Sequence, residues 1–406
     1  MDQLVVPARG EVPLTADVVI VGGGIVGVAS AFFCSRLGMT TVVVEKRETL
    51  GSLTTAVSTE CFRAQFENPE LIGLMRSSIE IFADFPAVVG IPHLDIGLRR
   101  QGYLYITGDP QRVERYEKLV EVQSAAGLND VDLLSGEEAR TRFHYLGPRV
   151  VAARYRAGDG WLSVHELLHG FAKGSRARFL LDTAAVGIML DANGIAGVET
   201  NKGIVQTRRA VICAGPFSGR VARLAQVNLP LTLLRRHTLV VRSCDLVPRT
   251  APFTMDDDTG VYWRPAGAGA FIGKAFEDQP EDPTDAVPVD WEFPSLVLTP
   301  GAEWSIGRLV PFWNRAPNLL SKSNLHLSAG QYVYTPDHKP IIGPCREVPG
   351  LYFNLGYAGY GIMGAPEGGR RLAQMLQDAR PDTDNPFSYT RFPGASQMLE
   401  AQEKVY

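Results

Sequence analysis

Apolar residues follow two rhythms along this chain. Val18–Val21 and Thr41–Val44 are short, unbroken, mostly β-branched runs, as expected of buried strands. Between them, residues 25–37 are apolar at helical spacing, which predicts a helix. Residues 68–89 repeat that spacing and predict another. Residues 101–107 (QGYLYIT) alternate as a strand, and 110–126 form a charged amphipathic helix. Ser135 and Glu138 have the spacing of a capping box. Val164, Leu167, Leu168 and Phe171 mark one face of a further helix. Residues 180–211 are expected as strands, with turns at 192–194 and 201–203. Residues 233–242, 261–264 and 270–274 have the pattern of a second sheet. An acidic, proline-bearing loop (279–288) and an irregular stretch (311–323) follow. Residues 351–364 (LYFNLGYAGYGIMG) then lead into a helix expected to reach Ala379.

The densest signal lies where the first strand meets the first helix, in VIVGGGIVGVAS (19–30). Gly22, Gly24 and Gly27 form a GxGxxG. Gly22 allows a tight turn, Gly24 lets a pyrophosphate approach the backbone, and Gly27 lets helix and strand pack closely. Free N–H groups of Ile25 and Val26 and the positive helix end face the phosphates. Glu45, at the end of the second strand, is placed to accept hydrogen bonds from a ribose. Strand, helix, strand and acid in this order indicate a dinucleotide site. Residues 18–34 are also nearly uncharged, as in a membrane span or signal peptide. Four glycines among residues 22–27 disfavour a spanning helix, and residues 1–17 hold one arginine against three acids.

The strand–helix–strand unit cannot close its own sheet, and strands near Val211 and Leu351 are expected to complete it. The fold class is therefore α/β: a Rossmann-like three-layer dinucleotide domain interleaved with a mixed or antiparallel-sheet substrate domain. The first is assigned 16–90, 151–225 and 325–392, and the second 91–150 and 226–324. A length of 406 residues accommodates both. A net charge of −4 gives no sign of nucleic-acid binding. Five scattered cysteines without a CxxC suit free thiols in a reducing compartment, hence a cytoplasmic location. His165, Glu166 and His169 spell HExxH, the spacing of a zinc hydrolase. No third-ligand motif follows, so the pair is expected to be structural and no metal is assigned.

Seven segments in order resemble the FAD-dependent amine oxidoreductases of the D-amino-acid oxidase family. They are the GxGxxG with Glu45, TTAVSTECFRAQF (54–66), GDGWLS (158–163), CAGPFS (213–218), GVYWRP (260–265), GQYVYTPDHKPIIGP (330–344) and GYAGYGIM (356–363). The likeness is greatest to sarcosine oxidase beta subunits and to N-methyl and secondary amino-acid dehydrogenases. It implies a bound FAD, with Glu45 at the adenosine ribose. Lys46, Thr54, Thr55 and Ser58 would lie along the pyrophosphate and flavin. Val186 would meet adenine through its backbone, and Ala214 and Gly215 would form the strand-end turn beside the dinucleotide. Gly330, Gly359, Tyr360, Gly361, Ile362 and Met363 would surround the flavin.

The resemblance also implies hydride transfer from an amine to flavin N5, giving an imine that hydrolyses. Arg63 aligns with a substrate-carboxylate arginine, and Tyr262 and Tyr332 with active-site tyrosines. Tyr360 stands where some relatives carry histidine. A second carboxylate-binding lysine falls at Met363, and the carboxylate arginine of glycine and D-amino-acid oxidases falls near Tyr332. The oxygen-activating lysine falls near Phe271, with Lys274 three residues on, so the acceptor is either oxygen or a redox partner. A flavin-linking cysteine falls at Gly330, and residues 51–55 hold no histidine, so FAD is expected to be non-covalent. Glu60 replaces a small residue and could neutralise Arg63 or receive a cationic substrate group. Small-molecule amine or amino-acid substrates are implied, with homo-oligomers or hetero-subunits as partners. The alternative is an FAD-binding subunit with little turnover of its own.

Overall fold

Val18–Val21 and Thr41–Val44 lie side by side in parallel, with every residue buried. Their alternation divides the core into two halves. Val18, Ile20 and Val43 pack with the helix layer, whereas Val19, Val21, Val42 and Val44 pack on the opposite face. The protein is described by a computed structural model covering residues 3–392 except 9, 13, 14, 276–278, 379–381 and 383.

The first sheet has seven strands, in the spatial order Leu4–Val5, Arg178–Leu180, Thr41–Val44, Val18–Val21, Ala210–Ile212, Leu351–Leu355 and Ile341–Pro344. All neighbours are parallel except the last pair. Two helices, α1 (Ile25–Arg36) and α2 (Gly361–Asp378), cover one face. A three-stranded antiparallel sheet of Ala185–Asp191, Gly194–Thr200 and Gly203–Gln206 covers the other. This is the expected three-layer arrangement.

The helices can approach the sheet and each other because glycine stands at each crossing. A Cβ on Gly27 would lie 1.9 Å from the Gly22 carbonyl oxygen, and one on Gly369 would lie 2.9 Å from the Ala29 carbonyl carbon.

The second sheet has eight strands, in the order Leu325–Tyr334, Thr232–Val241, Gly269–Lys274, Val261–Ala266, Phe253–Asp256, Tyr103–Thr107, Ala152–Arg156 and Asp132–Ser135. It is antiparallel except where Phe253–Asp256 runs parallel to Tyr103–Thr107. Ala152–Arg156 and Leu325–Tyr334 pair within this sheet, so its share of the chain extends past the limits expected at 151 and 325. Leu104, Ile106, Trp263 and Ile272 face a core closed by Trp313. Tyr103, Tyr105, Met255 and Tyr262 face the other way.

Other expected elements differ at their ends. The helix expected over 68–89 divides into Pro69–Ala83 and Phe85–Val89, since Pro86 supplies no N–H to continue the first segment. The helix after Pro110 opens with a 3-10 turn before Val113–Ala125. The Ser135–Glu138 capping box forms. The described part of α2 ends at Asp378, and Ala379 lies outside the described residues.

Gly27→Ala is expected to lower stability by about 1–3 kcal/mol, because the new methyl meets backbone that cannot rotate away. Thermal unfolding of the purified variant checks this; an unchanged midpoint contradicts the packing role.

Candidate functional site

Both covering helices begin at the edge of one cavity of about 380 Å³. Gly22, Gly24, Ile25 and Val26 form its wall at the start of α1, and Gly359, Gly361 and Ile362 at the start of α2. Gly22 has φ +114°, and a Cβ there would lie 2.5 Å from the Cys213 carbonyl oxygen. The Ile25 N–H donates to Thr55 Oγ1 at 3.2 Å, so an outside side chain caps α1. Gly27 does not line the cavity; it permits the helix–strand contact.

Glu45 is held from both sides. Its Oε2 accepts from the Gly23 N–H at 2.6 Å and its Oε1 from the Arg47 N–H at 2.9 Å. Burial raises the carboxyl above its ordinary pKa, and these backbone bonds oppose the rise. A carboxylate accepts about four hydrogen bonds, so capacity remains for ribose hydroxyls.

Lys46 lines the cavity and pairs with Asp285, while its ammonium lies 3.2 Å from the Phe217 ring centroid. Thr54 Oγ1 donates to the Gln331 carbonyl at 3.1 Å, fastening the 54–57 turn to the large sheet. Ser58 lines the cavity and accepts from the Glu60 N–H. Ala214 and Gly215 also line it, the latter with φ +52°.

Four expected cofactor neighbours do not line the cavity itself. Val186 is 50% exposed, and the cavity wall there is Ala184 and Ala185. Gly330 packs against the 54–57 turn, where a Cβ would meet Val57 Cγ2 at 2.6 Å; Gln331, Tyr332 and Val333 line the cavity instead. Met363 is buried in the helix-side core. Tyr360 donates its hydroxyl to the His338 carbonyl and packs edge-on to Phe66.

The cavity offers two helix N-termini, a glycine cradle, the cations Lys46, Arg47 and Arg220, and Glu45 at the far strand end. These donors suit FAD: N–H groups and cations for the pyrophosphate, and a carboxylate for the ribose. Arg220 and Phe217 carried no signal in the sequence beyond standing in or beside CAGPFS.

Beyond Tyr332 the site-facing side of the large sheet is aromatic. Tyr103 stacks on Phe253 with centroids 4.1 Å apart, and Phe253 stacks on Tyr262 at 5.1 Å. Into this wall projects Arg63. Its guanidinium lies 3.9 Å from the Phe66 centroid and 5.7 and 5.9 Å from those of Tyr103 and Tyr105. Its Nη1 donates to the Gln65 carbonyl at 3.0 Å. Among the described residues Arg63 makes no ion pair. Glu67 pairs with Arg115, and Glu60 with Arg264 at 2.8 Å. Tyr103 and Tyr105 were missed, although the alternation in QGYLYIT already places both on one face.

Glu60 is committed to structure. It adopts φ +63°, accepts the Val164 N–H on Oε1, and holds Arg264, whose Nε donates to the Thr59 carbonyl at 2.7 Å.

One expectation fails on position. Lys274 shares the strand face of Ala270 and Ile272, on the core side of the sheet opposite Tyr262, and its ammonium lies 3.9 Å from the Trp304 centroid. His165, Glu166 and His169 are exposed on the outer side of Val164–Gly174, and no metal-binding cluster exists among the described residues.

A family model described as DAO, FAD dependent oxidoreductase, matches residues 17–375. The chain belongs to this family. It is an FAD-dependent oxidoreductase. Human mitochondrial sarcosine dehydrogenase is 28% identical over 93% of this chain, which spans 41% of that protein. The FAD-dependent oxidoreductase domain-containing protein 1 of Bos taurus is 28% identical over 94% of this chain and 85% of its own length. L-proline dehydrogenase from P. horikoshii superposes with a TM-score of 0.78 at 26% identity, covering 94% of this chain and 98% of that one. Glycine oxidase from Geobacillus kaustophilus shares the fold, with a TM-score of 0.77 at 21% identity over 94% of this chain and all of its own. No helix among the described residues is long and apolar enough to cross a membrane.

Gly24 has an ordinary φ of −73°, and a Cβ there would come no nearer than 3.4 Å to Thr55 Oγ1. Gly24→Val is therefore expected to fold yet lose FAD, because its side chain enters the pyrophosphate cradle. Visible absorbance and thermal unfolding read the two effects separately; a yellow variant contradicts the placement.

Proposed function

We propose that this protein oxidises an N-methyl or other secondary amino acid. The observation that carries the reading is Arg63, a guanidinium without a carboxylate partner among the described residues, set among Phe66, Tyr103 and Tyr105, with Phe66 edge-on to Tyr360 just before α2. Sarcosine dehydrogenase and L-proline dehydrogenase, by their names, act on secondary amino acids, which supports the same class here. FAD, held by the glycine turn at the start of α1 and by Glu45, would supply the two-electron acceptor for converting the amine to an imine, which water hydrolyses.

The chain's own residues bind, orient and exclude water. Arg63 holds the substrate carboxylate by charge-assisted hydrogen bonds. Phe66, Tyr103 and Tyr105 remove water from around it, which strengthens that attraction. Burial raises the phenol pKa values of Tyr262 and Tyr332 above the ordinary tyrosine value. Both hydroxyls therefore stay protonated at neutral pH and serve as donors, not bases. The N-terminal end of α2 favours negative charge at the cavity edge, an effect of about 0.3–2 kcal/mol.

Lys274 stands on the far face of its sheet, away from the oxygen-activating role the resemblance would give it. We therefore assign the electrons to a redox partner. The turn at 51–55 holds no histidine, and FAD is assigned as non-covalent. All five cysteines are free, which supports a reducing compartment such as the cytoplasm.

Anaerobic addition of N-methyl and secondary amino acids is expected to bleach the flavin spectrum, with an artificial dye restoring it faster than air. A spectrum that none of them bleaches contradicts the substrate class. Arg63→Ala is expected to remove about 1.5–3 kcal/mol from binding of carboxylate-bearing substrates. Steady-state kinetics on an acid and on its decarboxylated amine check this; equal losses on both exclude the anchoring role. Acid precipitation is expected to release all the yellow colour to the supernatant, whereas colour retained in the pellet indicates a covalent link.

A further inference from the structure

A second cation lies one ring away from Arg63. Arg154 sits on Ala152–Arg156 opposite Tyr105, on the same sheet face, and is 4% exposed. Its guanidinium carbon lies 4.6 Å from the Tyr105 centroid and 4.7 Å from that of Tyr116. Both rings thus lie within cation–π range of the guanidinium. Nε and Nη1 have no partner, and the buried Tyr116 hydroxyl and Gln123 Oε1 also lack one.

The neighbouring carboxylates are committed elsewhere. Asp257 pairs with Arg112 at 3.5 Å. Asp159 pairs with Arg156 at 2.5 Å and accepts from the Ala64 N–H and Gln65 Nε2. Tyr105 thus lies near two cations, its centroid 5.9 Å from the Arg63 guanidinium carbon and 4.6 Å from that of Arg154.

Stacking on aromatic faces stabilises a cation but satisfies none of its in-plane donors. Buried donors without acceptors are unfavourable, so the arrangement fits a site that an anion completes. One carboxylate can engage one guanidinium fork; two forks on either side of a tyrosine call for two carboxylates. We propose that the substrate is an N-alkylated amino dicarboxylic acid, with Arg63 holding one carboxylate and Arg154 the other. This rests on the oxidation of a secondary amino acid proposed above and narrows its substrate class.

The test uses the FAD-loaded protein with racemic N-methylglutamate as diacid and N-methylalanine as monoacid. kcat/KM for the diacid is expected to exceed that for the monoacid roughly ten- to a hundredfold. Arg154→Met is expected to abolish this preference through KM, raising it for the diacid roughly ten- to a hundredfold more than for the monoacid. Arg154→Lys, which keeps the charge and loses the planar fork, is expected to recover part of it. Equal effects of Arg154→Met on both acids, or a wild-type enzyme without preference, overturn the proposal.

Titration calorimetry with glutarate and butyrate decides the matter independently of turnover. Glutarate is expected to bind the wild type more tightly than butyrate, and the two alike in Arg154→Met. Bleaching by N-methylalanine without any glutarate preference sinks the dicarboxylate inference alone. Selective glutarate binding with no amine able to bleach the flavin sinks the oxidation reading and leaves the two-cation site standing.

Discussion

The approach of α1 to its strand and of α2 to α1 is the contact on which the site depends. Side chains are absent at Gly22, Gly27 and Gly369, and each missing methyl would strike backbone. Removing them brings both helix N-termini to the rim of one cavity. With larger residues there, either helix would tilt and its free N–H groups would point away from the common void. The cofactor site is thus a packing consequence first and a set of contacts second.

Electrostatics then divides the pocket by the state of its cations. Lys46 and Arg47 share Asp285 at the cavity edge, and Arg264 is tied to Glu60 and the Thr59 carbonyl. Each of those charges already has a carboxylate partner. Arg63 faces an aromatic wall with one backbone carbonyl as acceptor, so its charge remains available to a ligand. Glu60 does not neutralise Arg63, because Arg264 and the Val164 N–H claim both its oxygens.

The dinucleotide half was legible because its chemistry is local. Turn, helix start and ribose acid lie within 22–45, and their spacing is set by one strand–helix–strand unit. The substrate half was less legible, since its residues meet through pairings distant in sequence. The tyrosines of QGYLYIT reach the site only when Tyr103–Thr107 pairs with Ala152–Arg156 and Phe253–Asp256. Arg154 carries no motif, and its place beside Tyr105 follows from that register alone.

Strand parity explains the remaining differences. Side chains alternate between faces with period two, so an error of one residue in carrying a role along a strand moves it through the sheet. Phe271 faces the site beside Arg264, whereas Lys274, three positions on, faces the tryptophan-rich core. A lysine displaced by an even number of positions could still have reached the flavin side. One displaced by an odd number cannot without reversing every residue of its strand, and the core that Ala270 and Ile272 complete forbids that reversal.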